Sequence, residues 1–179
     1  DTQCTYFKVS NDFDKMLNKA QELLLKSQEY KSKTFEIIAR KHLFEALTFS
    51  GLIEKGYEDL QKATLLLSEL DDSNDFELIT KSDIYIAHSN YHIYKKDYLN
   101  QFKFIKLSGK YFEKISNQSL REKLLYIHHC NLAGPYLQLG KPDSAVYYAK
   151  LSLSQENNYD RAAIQFNNYS NLGNIAFDA

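Results

Sequence analysis

Apolar residues recur at three- and four-residue steps through most of the chain, which is the spacing of one face of an α-helix. The stripe that starts at Phe13, after Ser10-Asn11-Asp12, is one example. Polar or glycine-containing breaks separate the stripes. The pattern predicts eight helices, over residues 11–30, about 35–50, 57–67, 75–95, 98–115, 119–140, 142–155 and 159–178.

Helix boundary signals support these limits. Asn74 with Glu77, and Ser119 with Glu122, have the three-residue spacing of a capping box, which satisfies free amides at a helix start. Gly140 is the residue type that ends a helix, and Pro142 suits the first turn of the next one. A further break is predicted at Lys55-Gly56.

The helices form pairs that repeat along the chain. Aligning the turns KGYEDL, KKDYLN and GKPDSA with the opening NDFDKM superposes Phe13, Tyr57, Tyr98 and Pro142. These positions are 44, 41 and 44 residues apart. A nearly constant period indicates one helix-turn-helix unit used repeatedly.

The segment NLAGPYLQLGKPDSA, residues 131–145, resembles a tetratricopeptide repeat. Leu132, Ala133 and Tyr136 match its first helix, and Ala145 and Ala149 match the small residues of its second helix. Residues 171–176 repeat the first half, whereas earlier copies depart from the pattern, as at Leu60 and Gln101, where small residues are expected. The period also exceeds the family's 34 residues.

This resemblance implies an all-α fold, a right-handed α-α superhelix of about eight antiparallel helices over residues 11–179. Residues 1–10 are predicted to be an N-terminal extension. The implied repeats are about 11–30 (half), 33–70, 75–115, 119–155 and 159–179 (half). The long period and the abundant Asn, Lys and Tyr resemble those of bacterial sensor and regulator regions.

In such a solenoid the first helices of successive repeats line a concave groove. Asn90 and Asn174 resemble the groove asparagines with which some family members hold a peptide main chain, but the Lys and Arg of a carboxylate clamp are absent. A mixed apolar and amide groove favours an extended or helical peptide segment. The predicted groove residues are Phe49, Leu52, Asp83, Ile86, Asn90, Ile93, Tyr94, Ile127, Cys130, Leu137, Gln138, Asn167 and Asn174.

Composition narrows the classes of function. The 179 residues include 22 basic and 23 acidic ones, giving a net charge of −1, so nucleic-acid binding is not expected. The Lys103, Lys106, Lys110 and Lys114 stripe is interpreted as a solvated helix face. No apolar run reaches the roughly 20 residues of a membrane span, so a soluble segment of the cytoplasm or periplasm is expected. Because the chain starts at Asp1, a processed or trimmed chain is also expected.

Few residues suggest chemistry. Cys4 and Cys130 match no CxxC spacing, so two free thiols are expected. His88 and His92 have the spacing of two metal ligands on one helix, which leaves a metal-binding protein as one alternative. They also occupy packing positions of the repeat, which favours core histidines and no bound metal. No phosphate loop or nucleophile motif occurs, so neither an enzyme nor a cofactor is expected.

The function expected from the sequence is a protein–protein interaction scaffold that holds a peptide, a protein segment or another region of its own chain in the groove. The main alternative is the ligand- or signal-sensing input domain of a larger bacterial transcriptional regulator or kinase. Leu172, Gly173 and Ala176 leave an apolar face on the last helix, so pairing of two copies through that helix, or continuation into further repeats, is also expected.

Overall fold

The computed structural model describes residues 2–154 and 168–173, and every regular element in these residues is helical. The all-α prediction is therefore confirmed. The helices are α1 (Thr2–Val9), α2 (Phe13–Glu29), α3 (Lys33–Phe49), α4 (Ile53–Leu65), α5 (Asp75–Tyr94), α6 (Tyr98–Phe112), α7 (Gln118–Gln138) and α8 (Pro142–Ser154), with a 3-10 helix at Leu66–Glu69 and a helical stretch at 168–173.

The segment predicted as an N-terminal extension contains helix α1. Its Cys4 is buried and packs with Met16 and Ala20 of α2 and Leu43 of α3. The helix was missed because it is only eight residues long and its apolar residues form no clear stripe. The α1 helix pairs with α2, so α2 is the second helix of a pair.

The two helices of each pair are joined by the same kind of turn. In each turn, the second residue after the first helix adopts a left-handed conformation. The backbone amides of this residue and of the residue that follows it donate to carbonyl groups near the end of the helix, as in a Schellman motif. In the α5–α6 turn, Lys96 N–H donates to Ile93 O at 3.0 Å and Asp97 N–H donates to His92 O at 2.9 Å. The left-handed residues of the four turns are Asn11, Gly51, Lys96 and Gly140.

The break between α3 and α4 lies earlier than the predicted one. It falls at 50–52, where Gly51 has a φ of 81°, whereas Gly56 lies inside α4 and packs against Phe44 of α3. The alignment through Tyr57 was therefore wrong, because Gly56 is a packing glycine and not a turn glycine. The second helices begin at Phe13, Ile53, Tyr98 and Pro142, which are 40, 45 and 44 residues apart.

The helix starts match the predicted caps in part. The Asn74 side chain accepts from Phe76 N–H, but Glu77 bonds to Asp71 N–H rather than to Asn74. Helix α7 is capped by Asn117, two residues before the predicted Ser119, because the Asn117 side chain accepts from the Leu120 amide.

Buried side chains form a series of clusters along the chain, each contributed by neighbouring helices. The largest lies between α3, α4 and α5 and includes Ile37, Leu60 and Ile84. Others join α1 to α2 and α3, and α5 to α6 and α7. This serial packing is what a repeat of helix pairs requires. The right-handed superhelix itself stays a prediction.

Two expectations concern the end of the chain and the membrane. The predicted helix at 159–178 and the pairing of copies through it lie outside the described residues, apart from 168–173. Among the described helices, none combines the length and apolarity that crossing a membrane requires.

Candidate functional site

Ion pairs join neighbouring first helices in the first half of the chain, α1 to α3 and α3 to α5. Lys8 Nζ of α1 is 2.8 Å from Glu45 Oε1 of α3, and Lys41 Nζ of α3 is 2.7 Å from Asp83 Oδ2 of α5. The surface made by α1, α3, α5 and α7, here called the first-helix face, carries two neighbouring cavities.

The first cavity has a volume of about 190 Å³ and lies between α1, α3 and α5. Four predicted groove residues meet there. Phe49, Ile93 and Tyr94 are 42%, 47% and 49% exposed, and Asn90 adds a solvent-facing amide. The remaining lining residues are Lys8, Phe44, Glu45 and Thr48.

A compensated set of charges lies at the base of this cavity. His42 Nδ1 is 3.2 Å from the Glu45 carboxylate, which also accepts from Lys8. Burial raises the pKa of Glu45, but the His42 hydrogen bond and the charges of Lys41 and Lys8 outweigh it and lower the pKa to about 2. Burial lowers the pKa of His42 despite Glu45. Glu45 is therefore ionised and already paired, which leaves the cavity walls to contact a ligand.

The second cavity has a volume of about 220 Å³ and lies between α5, α6 and α7. It shares Asn90 and Ile93 with the first, so the two are continuous along the first-helix face. Predicted groove residues Ile86 and Cys130 line it. The other lining residues are Ser89, Gln101, Ile105, Ser108, His128, Asn131, Gly134 and Asn171.

The other predicted groove residues are placed elsewhere. Asp83 pairs with Lys41, and Ile127 packs against Tyr126 and Cys130. Leu52 is half exposed at the start of α4. Neither cavity is lined by Leu52 or by Leu137 and Gln138, which lie at the end of α7. The described residues do not include Asn167 and Asn174.

Sequence reasoning missed several contributors to the cavities, and Lys8 and Gln101 show why. Lys8 was missed because it belongs to α1, and Gln101 because it lies on a second helix rather than a first one. The sequence did carry a signal for Gln101, since a long amide stands there where the repeat expects a small residue. Such a departure marks a place where close helix packing is relaxed.

His88 and His92 are packed among aromatic rings. His88 stacks on Phe104 with ring centroids 4.7 Å apart and its Nε2 lies 2.7 Å from Thr64 Oγ1. His92 also stacks on Phe104, and its Nδ1 lies 3.3 Å from Asp97 Oδ2. Within residues 2–154 and 168–173, no group of three or more His, Cys, Asp or Glu side chains could hold a metal ion.

No protein-family model matches the chain, and no curated protein matches it in sequence. The tetratricopeptide resemblance thus rests on the motif residues alone.

Proposed function

We propose that this protein is an interaction scaffold that binds a peptide segment on the first-helix face, anchored at the first cavity. The observation that carries the proposal is the grouping of Phe49, Ile93 and Tyr94, each about half exposed, around a cavity beside the Asn90 amide. Apolar side chains that surround a concave site with a few polar groups are typical of ligand and peptide binding.

The charges at the cavity support an apolar anchor rather than a charged one. Lys8 and Lys41 are paired with Glu45 and Asp83, so a charged side chain of the partner would find no free counter-charge among them. A partner side chain that is apolar or aromatic would contact Phe49 and Tyr94 in this cavity, and Asn90 can bond a main-chain amide group. A peptide with an aromatic or aliphatic anchor is therefore the ligand class we propose.

Selection from a displayed library of random peptides tests the proposal. Peptides with an apolar anchor should be enriched, and Tyr94→Ala should weaken their binding at least tenfold, about 1.4 kcal/mol, as expected for an aromatic anchor. Tyr147→Ala, at an exposed tyrosine of α8 that lines neither cavity, is the matched control and should bind as the wild type does. Failure to enrich any peptide, or equal loss in both variants, would refute the proposal.

A further inference from the structure

Three polar side chains at the base of the second cavity are buried without protein partners. Ser89 of α5, Gln101 of α6 and His128 of α7 are 1%, 7% and 7% exposed. Within the described part of the chain, none of the three side chains hydrogen-bonds to another residue, and their polar atoms are not fully enclosed, since the fully enclosed unpaired atoms belong to other residues such as Thr48 and His88. Polar groups in the interior are nearly always paired, so three mostly buried side chains that line one cavity with unpaired atoms point to a ligand or to bound water there.

The cavity is large enough for a small molecule. Its volume of about 220 Å³ is several times the roughly 30 Å³ that one water occupies in the liquid. Gly134 keeps the α7 side open, because a Cβ there would have only Asn171 Oδ1, at 3.9 Å, within contact range. Asn90 and Asn131 are exposed at the rim, so the cavity opens to solvent between polar groups.

The lining defines the chemistry of the ligand. No Lys, Arg, Asp or Glu is among its described lining residues, and burial lowers the pKa of His128 to about 4, so the imidazole is neutral at pH 7. A charged ligand would lose its hydration without gaining a counter-charge. Serine, amide and neutral imidazole groups each offer both a donor and an acceptor, which a hydroxyl group can match from a single oxygen. Ile86 and Ile105 suit an aliphatic C–H surface.

We propose that the cavity between α5, α6 and α7 binds a small uncharged polyhydroxylated molecule of the sugar or polyol class, held by Ser89, Gln101 and His128 at its base and by Asn90 and Asn131 at its rim. This site adjoins the proposed peptide site and shares Asn90 and Ile93 with it, but Phe49 and Tyr94 line only the first cavity. If the protein is the input domain of a sensor, this cavity would be the site that binds the signal molecule.

Titration of the isotope-labelled protein with sugars of one ring size, followed by NMR shifts, tests the proposal. Glucose or inositol should shift the amides around the cavity, whereas glucosamine and glucuronate, which carry opposite charges, should not. Gln101→Met should weaken binding at least tenfold. Gln118→Met, which removes an exposed amide at the start of α7, is the matched control and should leave binding unchanged.

Stability measurements separate a ligand site from a structural water site. Because Gln101 has no protein partner, Gln101→Met should leave the melting temperature unchanged or raise it. Ser89→Ala, a smaller change, should also weaken glucose binding, and Tyr94→Ala should not. Absence of binding by both neutral probes, equal binding of the charged sugars, or full binding by Gln101→Met and Ser89→Ala would overturn the proposal.

Discussion

The protonation state of His88 follows from its single hydrogen bond. The Thr64 hydroxyl donates to Leu60 O at 2.8 Å, so its oxygen can only accept from His88 Nε2–H. His88 Nδ1 is then the unprotonated nitrogen, and it is buried without a partner among the described residues. Burial, with a smaller contribution from His92, lowers the pKa of His88 to about 4. This arrangement favours a packing role over metal binding.

Stability should depend on pH through this residue. Between pH 6.5 and 4 the unfolded chain binds a proton at His88 that the folded protein does not, so stability falls as the pH is lowered through this window. The contribution is about 3 kcal/mol. His88→Phe should remove that part of the loss, as measured by urea unfolding at pH 7 and pH 4. Tyr57→Phe, which keeps the ring packed against His88, is the control. An equal loss of unfolding free energy between pH 7 and pH 4 in the wild type and both variants would contradict the assignment.

At the scale of elements, one turn geometry joins the two helices in each of the four pairs that the structure describes, but different residues provide it. Gly51 and Gly140 adopt the left-handed conformation readily, whereas Asn11 and Lys96 adopt it at some cost in backbone energy. Glycine therefore marked the turn at Gly140 correctly. It gave a wrong position at Gly56, where a side chain is absent because α3 and α4 pack closely there. The sequence therefore predicts the existence of a break between two helices more reliably than the position of the turn.

The packing role of Gly56 can be tested by adding one methyl group. A Cβ at Gly56 would lie 2.9 Å from Phe44 O and 3.2 Å from Leu47 Cβ, so α3 and α4 would have to separate. Gly56→Ala should destabilise the protein by about 1–3 kcal/mol in urea unfolding.

Gly134→Ala is the matched helical control. The new methyl group has no close neighbour in the described structure, and alanine is favoured over glycine in a helix by about 1 kcal/mol. This variant should be as stable as the wild type or more so. Equal destabilisation by both substitutions would show that Gly56 has no special packing role.

At the scale of the whole molecule, core and first-helix face are separate sets of residues. Ala133 of α7 is fully buried, whereas Asn90 and Tyr94 of α5 face solvent at the first cavity. The core holds neighbouring helix pairs together, and the exposed residues of the face add little to that packing.

This separation predicts opposite outcomes in thermal unfolding. The double variant Asn90→Ala/Tyr94→Ala should change stability by no more than about 0.5 kcal/mol. Ala133→Leu should overpack a helix contact and cost about 1–3 kcal/mol. Glu122→Leu, an exposed position of the same helix, controls for the leucine itself. If the double variant and Ala133→Leu lower the melting temperature equally, the exposed face belongs to the core.

The sequence by itself determined the all-α class and most helix limits, because helical periodicity and caps such as Asn74 depend on residues close together in the chain. It also selected four of the residues around the first cavity. Tertiary structure decided the rest. Lys8 reaches the cavity only because α1 packs on α2 and α3, and the unpaired groups of Ser89, Gln101 and His128 meet only because three helices enclose one space. Contacts between residues far apart in the chain depend on how helices pack, and no local pattern records them.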